Sequence, residues 1–76
     1  IDIIAKKDKT VHFVEVKYRA SSAQGSGFDY ITSKKLLQME RAAESWVVLK
    51  NWAGEYVLSA AEVSGPRLGI EFIAEI

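Results

Sequence analysis

The sequence contains no cysteine. No disulfide can staple the chain and no thiolate can hold a metal, an absence that fits a reducing, cytoplasmic setting. Excess charge is missing as well: ten basic and ten acidic residues give a net charge of zero. That counts against strong non-specific nucleic-acid binding, which draws on a surplus of lysine and arginine, although a local basic face remains open. No apolar run approaches the ~20 residues that span a bilayer, and no stretch has a signal-peptide pattern, so no membrane partner is expected. With 76 residues there is room for one small domain, residues 1–76, of the size that buries only ~60% of its chain surface. Hydrophobic residues make up 49%, so the chain is globular rather than disordered. It opens on Ile1, already inside an apolar strand pattern, and reads as the C-terminal portion of a longer chain.

Ile1 to Ala5 is apolar apart from Asp2, and Val11 to Tyr18 is β-branched and aromatic, a strand pattern. The polar residues between them suit a turn, so the two strands form an antiparallel hairpin. With Asp8 and Lys9 at the turn, Lys7 pairs with Thr10 and paired positions sum to 17. Asp2 then lies opposite Glu15, and Lys17, two residues on, shares their face. The turn lacks the glycine that tight hairpins prefer, and a slip of one residue would separate the three.

A Ser/Gly-rich loop follows to Tyr30; long loops in small domains often carry function. Thr32 is a helix N-cap, and the helix runs to about Lys50, ended by Asn51 and Gly54. Its apolar stripe is Leu36, Met39, Ala43, Trp46 and Val47, with Ala42 and Leu49 on the shoulder. Glu55 to Val63 lacks clean alternation, which predicts a central strand parallel to the second. Leu68 to Ile76 alternates and reads as a half-exposed edge strand. The expected fold is α/β: a mixed sheet in ββαββ order, with the helix carrying the crossover.

Two carboxylates and a lysine on one sheet face suit metal-assisted phosphodiester hydrolysis. Asp2 and Glu15 are hard oxygen ligands for Mg²⁺ or Mn²⁺, with the Val16 carbonyl as a third donor. Such an ion lowers the pKa of a bound water and offsets charge developing on phosphorus; Lys17 would add electrostatic stabilisation. The plainer alternative is a cross-strand salt bridge of Lys17 with Glu15 or Asp2. The flanking Ile1, Ile3, Ile4, Val14 and Val16 predict a largely buried sheet, where paired acids need a cation.

With Asp2 and the Glu15-Val16-Lys17-Tyr18-Arg19 stretch in hand, the chain resembles the YraN-like family of predicted endonucleases, within the PD-(D/E)XK, or restriction-endonuclease-like, nuclease superfamily. The matching stretches are Ile1 to Ala5, Val11 to Arg19, Gly25, Thr32 to Lys35 and Ala42 to Glu44. The resemblance implies a restriction-endonuclease-like core lacking its N-terminal helix and first strand, with Asp2, Glu15 and Lys17 in the catalytic positions. It also implies a Gly-Glu pair just before the position of Ile1, whose acid would be a further metal ligand or support. DNA, branched or structured by superfamily analogy, is the implied substrate.

Around this cluster, Arg19 is a candidate phosphate ligand, Lys34 and Lys35 are candidates for the DNA backbone, and Gln24 is placed to approach substrate from the loop. Each has a bland counterpart as a solvated surface residue. The one histidine, His12, falls on the face opposite Glu15 and reads as packed. Trp46 reads as core, and Trp52 as packing rather than a base-stacking platform. Two rival functions remain: a non-catalytic nucleic-acid-binding or assembly module on the nuclease scaffold, and an interaction domain docking a partner or second copy, as in a homodimer, through Leu37 and Val48.

Overall fold

The computed structural model describes residues 1–20, 28 and 30–76. β1 (Ile3–Lys7) and β2 (Thr10–Arg19) form the hairpin. Their register runs from Ile3↔Val14 to Lys7↔Thr10, the pairing expected from turn arithmetic. The turn closes without glycine because Asp8 adopts φ 56°, a left-handed conformation that aspartate tolerates.

α1 spans Ser33–Lys50. At its start the Thr32 hydroxyl accepts from the Lys35 backbone N–H at 3.1 Å, satisfying one of the donors that a helix N-terminus leaves over. At its end Asn51 takes φ 52° and donates to the Val47 and Val48 carbonyls, and the Trp52 N–H donates to Val47.

β3 (Glu55–Ser64) runs parallel to β2 from Thr10↔Glu55 to Arg19↔Ser64, and β4 (Gly69–Ile73) returns antiparallel. The result is a four-stranded mixed sheet in the order β1-β2-β3-β4 with one helix against it. The helix connects two parallel strands, so it runs back along β2 and lays its C-terminal half over the strand's beginning. There Val11, Phe13 and Ala43 are fully buried, packed by Trp46, Val47, Trp52 and Leu58. Phe13 meets the edges of Trp46 and Tyr56, with ring centroids at 5.5 and 5.7 Å, a favoured aromatic geometry. Trp52 takes the packing role expected of it: its indole N–H donates to the Glu55 carbonyl and Lys6 Nζ lies over its ring.

Three expectations need correction. β1 is exposed along its whole length, with Ile3 and Ile4 about half accessible, so the sheet is not largely buried on that side. An edge strand has a neighbour on one side only, and among the described residues no element covers it. Leu49, expected on the shoulder of the apolar stripe, is exposed, as is Ala42: the helix touches the sheet along a narrower line through Met39 and Ala43. The last strand is shorter than expected, and its Ile70 and Phe72 are exposed. They share the uncovered sheet face with His12, whose Nδ1 lies 3.0 Å from the Ser59 hydroxyl; that hydroxyl donates to the Ala74 carbonyl. His12 therefore sits opposite the Glu15 face, as its even position predicts. Among the described residues, no helix is long and apolar enough to cross a membrane.

Candidate active site

The helix-facing side of β2 changes character along its length. Val11 and Phe13 are followed, every second residue, by Glu15, Lys17 and Arg19. Glu15 is 7% exposed, although it is a carboxylate. Burying an ionised carboxylate is costly unless a cation or donor compensates, so its surroundings carry most of the information about the site.

Asp2 lies just beyond the last paired residue of β1. Its backbone N–H donates to the Val14 carbonyl at 3.0 Å, and its Oδ2 accepts from the Val16 N–H at 2.9 Å. The Val16 hydrogen bond holds the Asp2 acid below its ordinary value; burial works against it, and contact with the Glu15 side chain and the field of Lys35 reinforce it. The hairpin thus brings Asp2 beside Glu15, although Asp2 lies outside the paired register and its N–H donates to the Val14 carbonyl. Val16 offers its N–H to Asp2, and in a strand the carbonyl of a residue points to the same edge as its N–H. The Val16 carbonyl therefore faces the edge where β1 has ended.

The cation next to Glu15 is Lys35, not Lys17. Its Nζ stands 2.9 Å from Glu15 Oε2, and this contact holds the lysine's pKa above its ordinary value. The Ile1 backbone nitrogen lies 3.8 Å from the other oxygen, Oε1. Distance and direction disagree at Oε2: the ammonium is close enough for an ion pair, yet this buried oxygen receives no well-aligned hydrogen bond among the described residues. The attraction between the charges is governed by distance, so the ion pair stands, with Oε2 retaining capacity to accept. The salt bridge anticipated within the hairpin thus forms instead between β2 and the first turn of α1.

Lys17 is exposed and lines an open cleft of about 540 Å³ with Glu15 and Val16. Tyr30 and Thr32 form the approach to the helix, and Lys34, Lys35 and Gln38 of its first turns complete the wall. Asp2 is not on that wall; it joins the cluster through Glu15 and Val16. Tyr30 donates to the Ala61 carbonyl at 3.3 Å, and burial, helped by the charges of Glu62 and Glu15, raises its pKa, so it is a neutral donor at physiological pH. Gln24 lies outside the described residues.

Arg19 points to the same side as Glu15 and is engaged there: its Nε donates to Glu62 Oε2 at 3.0 Å, with both side chains largely buried. Glu62 is a member of the cluster that sequence reasoning missed. The signal was the second acid of β3, set inside its apolar stretch, which the parallel register places directly beside Lys17. Lys35 was assigned to nucleic acid alone, and its contact with Glu15 went unforeseen.

No group of three or more His, Cys, Asp or Glu side chains gathers to hold a metal among the described residues. What is present is smaller: two adjacent carboxylates, one with a buried oxygen free to accept, and a backbone carbonyl turned to the same edge. That donor set fits a hard cation such as Mg²⁺, which is usually held by one or two carboxylates and completes its shell with water or substrate oxygens.

The fold and cluster together define a small mixed α/β domain in which the buried Glu15 lines a lysine-walled cleft and Asp2 lies beside it. The family model for the uncharacterised protein family UPF0102 matches residues 1–71, and the chain belongs to that family, which is the YraN-like family. It is 32% identical over 73 residues to a UPF0102 protein of Cytophaga hutchinsonii, covering 96% of this chain and 65% of that protein. A UPF0102 protein of Chlorobium phaeobacteroides is 47% identical over 47 residues, covering 62% of this chain and 37% of the relative. One of Caldicellulosiruptor bescii is also 47% identical over 47 residues, covering 62% and 40%. The chain therefore spans about two thirds or less of the length of these relatives. No solved structure matches it.

Proposed function

We propose that this chain is a restriction-endonuclease-like domain that hydrolyses DNA phosphodiester bonds with the help of Mg²⁺ or Mn²⁺, branched or structured DNA being the substrate by superfamily analogy. The observation that carries the reading is the buried Glu15 carboxylate, which lies beside Asp2 and lines a cleft walled by Lys17, Lys34 and Lys35. Asp2, Glu15 and the Val16 carbonyl would hold the ion, which would supply an activated water and offset charge on the scissile phosphate. Lys17, exposed at the cleft, would face the reacting phosphate as an electrostatic stabiliser. Lys34 and the N-terminal turn of α1 would hold flanking phosphates. Arg19, joined to Glu62, would act by bracing β2 against β3. A cytoplasmic setting goes with this reading.

The test is cleavage of branched and linear duplex DNA with Mg²⁺, Mn²⁺ or a chelator. The parent chain should cut only with a metal, and Glu15→Ala and Lys17→Ala should each lose about 100-fold or more in rate. Equal cutting by the variants would sink this site. A second reading, a non-catalytic nucleic-acid-binding module, is favoured by one observation: Lys35 already neutralises Glu15. It predicts metal-independent, salt-sensitive DNA binding with no cleavage under any metal.

A further inference from the structure

We infer that Lys35 is the resident counter-ion of Glu15, which a divalent metal must displace, so that this one side chain sets the metal affinity of the site. The inference rests on the proposed Asp2–Glu15 metal site and assigns Lys35 a role there distinct from non-specific DNA contact.

Three observations carry it. The side chain of Glu15 is about nine-tenths buried, and its Oε2 lacks a well-aligned hydrogen bond although Lys35 Nζ stands 2.9 Å away. A carboxylate so placed needs a positive charge, and Lys35 supplies one. The same oxygen is the ligand a metal would use. An ammonium and a divalent cation drawn to one buried oxygen repel each other at short range, where solvent screens poorly. The two therefore compete rather than add.

The backbone of Lys35 need not move in the exchange. Its N–H is fixed to the Thr32 hydroxyl at the helix cap, and its side chain is 38% exposed, with rotamer freedom toward the cleft it shares with Lys17 and Lys34. Displaced from Glu15, the ammonium stays inside that cleft, where a substrate phosphate is its natural alternative partner. Lys35 thus serves the carboxylate before metal enters and the substrate afterwards. It is a positioning and affinity-setting residue. By contrast Lys17, on the same face but away from Oε2, should not gate the metal.

Mn²⁺ titrated into the 76-residue chain without nucleic acid, with free ion read by electron paramagnetic resonance, tests this directly. Lys35→Ala and Lys35→Gln should bind Mn²⁺ about three- to ten-fold more tightly than the parent, the range expected on removing a partly exposed competing charge. Lys35→Arg, which keeps the charge, should stay within about two-fold of the parent. Glu15→Gln should lose the site in both the parent and the Lys35→Ala background. Parental or weaker Mn²⁺ affinity in Lys35→Ala and Lys35→Gln overturns the inference while leaving the carboxylate site standing, as does a gain in Lys35→Arg equal to that in Lys35→Ala. Absence of Glu15-dependent Mn²⁺ binding in every form overturns both. Thermal unfolding gives an independent readout: Mn²⁺ should raise the midpoint of Lys35→Ala more than that of the parent, and equal rises count against the exchange.

Discussion

The two ends of the layer between α1 and the sheet are built from the same strands and the same helix, yet they are chemically opposite. At one end Val11 and Phe13 lie under Ala43 and Trp46 in a dry cluster. Two residues beyond Phe13 along β2, on the same face, Glu15 lies under Lys35, with Lys17 exposed at the cleft and Arg19 bonded to Glu62. The difference lies in what the helix brings. Its C-terminal half carries aromatic and aliphatic side chains down to the sheet, while its first turns carry lysines. The crossover sets those turns over the ends of the parallel strands, the end of an α/β sheet where ligands commonly bind. The apolar end holds the layer together, and the polar end holds charges in positions they would not keep in a freely solvated hairpin.

Substitutions at the two ends should therefore differ in size and in kind. The largest loss is expected at the apolar end. Phe13→Ala empties a fully buried ring position that also orders Trp46 and Tyr56, and should cost about 3–5 kcal/mol in urea unfolding. A cost below about 1 kcal/mol would mean that the dry cluster does not anchor the layer.

Next comes Arg19→Ala, which leaves the Glu62 carboxylate buried without the guanidinium 3.0 Å away. Removing one member of a buried pair should destabilise by about 2–4 kcal/mol, whereas replacing both with apolar residues of similar volume should recover much of the loss. If the double replacement is as damaging as the single one, the pair does more than satisfy itself.

The smallest effect, and the most specific to the polar end, concerns Asp2. Its folded pKa lies below the ordinary value of 3.8, so its contribution is fully present above that value and is lost as pH falls through 3.8 toward the folded value. Asp2→Asn, whose amide oxygen can still accept from Val16, should flatten the dependence of the urea midpoint on pH below about 5 and leave the midpoint near neutrality little changed. An unaltered acid limb in this variant would show that the ionisation of Asp2 does not contribute to the pH dependence of folding.

Much of this arrangement was legible in the chain. Lys7 and Thr10 flank a short turn, and side chains in a strand alternate with period two, so the hairpin register that carries Asp2 toward Glu15 followed from counting. Thr32 and Asn51 mark the ends of α1 because a capping hydroxyl and a left-handed residue each answer a local need of the backbone. The parallel placement of β3 followed from its lack of clean alternation and the length of the helix before it. The same reasoning failed wherever an outcome depended on what an element meets. Ile3 and Ile4 read as buried from their chemistry alone, yet they lie on an uncovered edge. Leu49 falls on the shoulder of the apolar stripe by periodicity but lies outside the line of contact.

The sequence by itself determined the elements, the hairpin register and the gathering of Asp2 and Glu15, because each depends on residues close together along the chain or on a fixed geometric period. Tertiary structure alone decided which cation reaches Glu15 and which acid holds Arg19. Those contacts join β2 to α1 across 20 positions and β2 to β3 across 43. Nothing local specifies them: Lys35 meets Glu15 because Phe13, Met39 and Ala43 seat the helix at one height over the sheet, and Arg19 meets Glu62 because the parallel ladder brings their strands into one register.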